Sequence, residues 1–82
     1  MVNVIFGERF ERIFFRIKDK ALQEKVTKQL EKIKQSPEKG KPMQHRRKGT
    51  REVYVKPFRL SYAYLKEQEK VIILDLYHKD EQ

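Results

Sequence analysis

Arg59 and His78 are the residues of this 82-residue chain best suited to do chemistry. Arg59 opens a stretch of otherwise apolar or small residues. A guanidinium there is costly to desolvate unless it meets an anion or a carboxylate. Two outcomes are open: it holds a phosphate and stabilises charge during phosphoryl transfer, or it pairs with Asp75 or Glu52 across a sheet. His78 follows a strongly apolar run, and histidine trades protons most readily near neutral pH. The plain alternative is a surface histidine at a strand end. His45 has a weaker case.

Cations crowd the same region. The net charge is +8, and seven of those charges fall between residues 39 and 59, where eight cations face Glu52 alone. Lys41, Arg46, Arg47, Lys48 and Lys56 are the candidate phosphate contacts, each adding to the salt dependence of binding. Tyr54 and Phe58 flank the patch and can stack on unpaired bases, whereas Tyr62 and Tyr64 suit core packing better. A highly charged surface of the heat-stable kind explains the total charge but not its concentration. The partner implied is a polyanion: RNA, DNA or an acidic protein.

Several classes are disfavoured. There is no cysteine, hence no disulfide framework or thiolate metal site. No Gly-rich phosphate loop, metal-spaced His/Asp cluster or GxSxG is present, so neither a metal nor a cofactor is expected. The longest apolar run, VIIL, is far short of the roughly 20 residues of a membrane helix. No secretory signal opens the chain. The expectation is a cytoplasmic protein with no membrane partner, folded as a single domain over 1–82.

The elements that must position these residues follow from periodicity. Val2, Val4 and Phe6 alternate as a short strand. Phe10, Ile13, Phe14 and Ile17 then form one helical stripe. Asp19 reads as an N-cap, and Leu22, Val26, Leu30 and Ile33 carry a second, longer helix that Ser36-Pro37 stops. Residues 39–50 read as a basic loop with a short edge strand around 44–47. Strands are expected at 51–56, 59–65 and 70–77, the last apolar on both faces and therefore central. Pro57-Phe58 does not suit a two-residue type I′ turn, so a wider hairpin loop is expected. The fold class is α+β in the order β-α-α-β-β-β, a helical hairpin packed on a small, mostly antiparallel twisted sheet. With Leu60, Tyr62, Tyr64, Ile72, Leu74 and Leu76 toward the helices, Arg59, Ser61 and Asp75 share the other face.

This order, the helix exit KQSPEKGKPMQH, the segment REVYVKPFRLSYAY and the ending VIILDLYHKDEQ together resemble the RelE/ParE toxin superfamily. The likeness is greatest to archaeal RelE-type and bacterial YoeB-type toxins. Phe58-Arg59-Leu60-Ser61-Tyr62 matches the family's [Y/F/H]-R-L-x-Y signature, and Gly40-Lys41-Pro42 its GKP element. The resemblance implies a cytosolic toxin of a toxin–antitoxin pair that cuts mRNA on the ribosome. The resemblance implies further that no metal takes part, that the ribose 2′-hydroxyl is the nucleophile, and that an acidic antitoxin holds the toxin inactive. It also implies roles: Arg59 steadies the phosphate, His78 stands where YoeB types have an acid, and Lys79 lies near a second functional arginine of RelE types. The strand lysines and the glutamate that relatives use as base are not plainly kept. Lys48, Arg51, Glu52 and Tyr54 remain candidates for it. ParE-type relatives share the fold and inhibit DNA gyrase, which stands as the alternative function. A non-catalytic RNA-binding domain is the third reading.

Overall fold

The computed structural model describes residues 2–42 and 49–78. The chain runs β1 (Asn3–Phe6), α1 (Glu8–Phe15), α2 (Lys20–Gln35), β2 (Lys41–Pro42), β3 (Thr50–Val55), β4 (Phe58–Leu65), a 3-10 turn (Lys66–Gln68) and β5 (Lys70–His78). The expected edge strand at 44–47 lies outside the described residues. Two residues further back, β2 takes an edge position beside β3.

Local chemistry explains the helices. Asp19 caps α2, its carboxylate accepting from the backbone N–H groups of Ala21 and Leu22 at 2.9 and 3.4 Å. Within α2 the apolar stripe buries Val26 and Ile33 completely or nearly so, with Leu22 and Leu30 packed beside them. In α1 Phe10 is the buried anchor and stacks on Phe6 and Phe14. Ile17 falls just past the end of α1 yet still packs on the core.

The sheet order is β1-β5-β4-β3-β2, parallel between β1 and β5 and antiparallel elsewhere. Fold class and element order thus agree with the sequence reading, with one adjustment. The strand flanked by two neighbours on each side is β4, not β5. The apolar run of β5 reflects an interior position between β1 and β4.

Register decides which side chains meet. Leu60 pairs with Leu76, Tyr62 with Ile73 and Tyr64 with Val71, and all of these except the partly buried Tyr64 are fully or almost fully buried against the helices. The ladder shifts beside Ser61/Tyr62, where β5 carries an extra residue, Leu74. This bulge corrects the expected faces. Val71 and Ile73 point to the helices instead of Ile72 and Leu74, and Leu76 does so as expected. The other face shows Glu52, Ser61 and Asp75 side by side and Tyr54, Arg59 and Tyr77 in the next row. The hairpin between β3 and β4 is also tighter than expected. Its connection is Lys56-Pro57 alone, joined by a cis peptide bond, which places proline at the third position of a type VI turn.

Candidate nucleic-acid interface

Arg59 sits on the face of the sheet away from the helical core. Antiparallel pairing sets Tyr54 and Tyr77 on either side of it and Glu52 diagonally adjacent. Arg59 Nη1 donates to Glu52 Oε1 at 3.0 Å, and Tyr77 Oη donates to Glu52 Oε2 at 2.8 Å. Of the two carboxylates open to Arg59, Glu52 is therefore the one it meets. Asp75 pairs instead with Arg9 of α1 at 3.0 Å. The Arg59 side chain remains 32% exposed, so the pair is half-sunk rather than sealed.

The pair lies in an open cleft of about 490 Å³ along the edge of β3. Among the described residues that edge is paired by β2 only at Arg51 and Glu52. Lys39, Gly40 and Lys41 form one wall, Gln29 and Lys32 of α2 another, and Val53 and Tyr54 the margin. Among the described residues four cations thus line the cleft with one carboxylate. Tyr54, half exposed, offers a ring to an unpaired base. Such a cleft has the charge to attract a polyanion and a guanidinium able to seat a phosphate, with a carboxylate beside it.

The other expected residues are distributed differently. Lys41 joins Arg59 in the cleft, and Lys56 is exposed in the β3–β4 turn. Arg51 belongs to the opposite face. It pairs with Tyr62, and its Nη1 donates to the carbonyls of Glu38 and Gly40 at 2.9 and 2.8 Å. The Tyr62 hydroxyl completes this cluster by donating to Pro37 O and accepting from Gly40 N. A Cβ on Gly40 would come within 2.6 Å of that hydroxyl, so the chain passes here only as glycine. Burial raises the Tyr62 phenol above its ordinary pKa, while the Gly40 N–H and the Arg51 charge act against the rise. His78 pairs with Phe58 and meets its ring edge-on at 5.5 Å, on the helix side of the sheet. Successive residues alternate faces, so His78 and Arg59 are not brought together. Arg46, Arg47, Lys48, Lys79 and His45 lie outside the described residues.

Two residues that line the cleft, Gln29 and Lys32, and one that bonds to its carboxylate, Tyr77, were missed by the sequence reading. Gln29 read as a flank of the apolar stripe of α2, and nothing in the spacing of Lys32 set it apart. Tyr77 could have been found from strand alternation, since it lies two residues past Asp75 on the side of Arg59.

A sequence profile described as the ParE toxin of type II toxin–antitoxin system, parDE, matches residues 4–82. The isolated E. coli RelE toxin has the same fold, with a TM-score of 0.82 at 16% identity over 95% of this chain and 84% of that one. A chain of the intact E. coli RelBE toxin–antitoxin complex superposes equally well, covered to 96%. The RelBE2 toxin–antitoxin complex of Mycobacterium tuberculosis gives 0.76 at 26% identity, over 95% of this chain and 98% of that one. No curated protein sequence matches significantly.

Proposed function

For a chain that belongs to the ParE toxin family of type II toxin–antitoxin systems, on a RelE fold, we propose the activity of an endoribonuclease that cuts mRNA on the ribosome. The observation that carries this reading is the half-exposed Arg59 guanidinium in a cleft lined by Lys32, Lys39 and Lys41. Arg59 holds the scissile phosphate and stabilises the charge that gathers on it as the 2′-hydroxyl attacks. Lys41 and the basic segment 46–48, with Lys56, neutralise neighbouring phosphates. His78 and Lys79 are the C-terminal residues that the resemblance links to catalysis. Because His78 turns toward Phe58, we assign the proton for the leaving oxygen to water at the cleft mouth. The partner that holds the protein inactive in the cytoplasm is an acidic antitoxin laid over the basic cleft.

In a purified translation system the protein is expected to block synthesis and leave cuts within ribosome-bound codons. Arg59→Ala should abolish both while the protein stays folded. A second reading, inhibition of DNA gyrase, rests on the resemblance to ParE-type relatives, the type that the matching profile names. Intact message together with arrested supercoiling would select it. RNA retention without cuts would select the binding-only reading.

A further inference from the structure

We infer that Glu52 is the general base of this cleavage, an assignment that rests on the ribonuclease reading above. The carboxylate is fixed at both ends, by Arg59 Nη1 at 3.0 Å and by the Tyr77 hydroxyl at 2.8 Å. Its side chain is 20% exposed and lines the cleft. Each carboxylate oxygen has two acceptor sites, so the bonds it makes leave room for another donor.

The geometry of Arg59 makes the arrangement productive. Only Nη1 meets Glu52, and among the described residues Nε and Nη2 take no partner. That free side of the guanidinium is the parallel N–H pair that matches a phosphate. A phosphodiester seated there lies one guanidinium width from Glu52, without displacing it. The ribose 2′-hydroxyl next to that phosphate then has to be held at the open acceptor sites of the carboxylate, within hydrogen-bond reach. A carboxylate facing a polyanion is ordinarily repulsive. Here Arg59 of β4, Lys41 of β2 and Lys32 of α2 face it, with Tyr77 of β5 and Tyr54 on its own strand, while the nearby Asp75 is occupied by Arg9.

In the step itself, Glu52 takes the 2′-hydroxyl proton as the 2′-oxygen bonds to phosphorus. The bond from phosphorus to the 5′-oxygen breaks, giving a 2′,3′-cyclic phosphate. The departing oxygen takes a proton from water, and the hydroxide left behind is neutralised by the proton on Glu52. No oxidant, metal or further reactant enters.

Single-turnover cleavage of ribosome-bound mRNA across pH tests the assignment, with the thermal midpoint of each variant as the check on folding. Glu52→Gln should bind as well as wild type, cleave about a hundredfold more slowly or worse, and lose the rise of rate with pH on the acid side. Glu52→Asp should keep that rise at a lower rate, and it decides the matter if the glutamine variant does not fold. Wild-type cleavage with an unchanged rate and acid limb in Glu52→Gln, or with the limb gone in a folded Glu52→Asp, overturns the base and leaves the ribonuclease reading standing. A wild-type protein that cuts no message overturns both.

Discussion

Arg51 and Arg59 occupy neighbouring strands and opposite faces of the sheet, and their surroundings assign them different work. Arg51 spends one nitrogen on two backbone carbonyls, Glu38 O and Gly40 O, at the exit of α2. Arg59 gives one nitrogen to a carboxylate and turns the rest of its fork to a cleft. Carbonyls offer no countercharge, so Arg51 acts as a geometric tie for the segment between α2 and β2. A carboxylate compensates charge but leaves donors unspent, so Arg59 can still receive an anion. Residue type and local charge are alike at the two positions. What they touch is not.

The sharpest way to break this contrast is to exchange the losses. Arg59→Ala should lower message cleavage by about a thousandfold or more, as expected when a cation on the transition-state phosphate is removed. Its thermal midpoint should stay close to that of wild type, because Glu52 keeps its bond to Tyr77. A variant that unfolds would make Arg59 a second structural tie. Arg59→Lys should recover little, since an ammonium lacks the planar fork.

The next effect belongs to the other face and should appear in stability. Tyr62 is fully buried, with its hydroxyl holding both Pro37 O and Gly40 N. Tyr62→Phe leaves a buried N–H and a carbonyl without their partner, at a cost of about 1–3 kcal/mol. Urea denaturation should show a lower midpoint at an unchanged slope. An unchanged midpoint would mean that Tyr62 only packs and that Arg51 alone ties the connection.

These two faces were not equally legible in the sequence. Alternation along 59–65 separated Arg59 and Ser61 from Leu60, Tyr62 and Tyr64, and that separation is the one found. The helical stripes and the Asp19 cap were readable because a helix repeats its signal over several turns. On β5 the run VIIL is apolar on both faces, so no polar residue marks the extra residue at Leu74. One inserted position moves Ile72 out and Ile73 in, while Leu76 and Tyr77 beyond it keep their expected sides. Arg51 looked like a catalytic cation because charge is visible in a sequence and a carbonyl partner is not. Gly40 gave no hint that the Tyr62 hydroxyl fills the space where its side chain would be.

Alkaline titration gives a smaller effect with a definite sign. Burial, its largest cause, holds the Tyr62 phenol above its ordinary pKa of about 10. The folded protein therefore binds that proton more tightly than the unfolded chain does. The associated stability is full below pH about 10 and is lost as pH rises from there through the folded value. The stability difference between wild type and Tyr62→Phe should narrow over that window. A constant difference would mean that the phenol ionises equally readily in both states.

His78 should give the smallest change of all. It pairs with Phe58, and its ring meets that side chain edge-on, on the face where Leu60 and Leu76 are buried. A proton donor to the leaving oxygen has to reach it directly or through one water, and here the sheet separates the imidazole from Arg59. Single-turnover cleavage by His78→Ala is therefore expected within about threefold of wild type, against the 10²–10⁴ that a general acid contributes. A hundredfold loss in a folded protein would bring the histidine round the end of β5 to the cleft. The donor assigned to water would then be His78, and the division between the two faces would hold only as far as Tyr77.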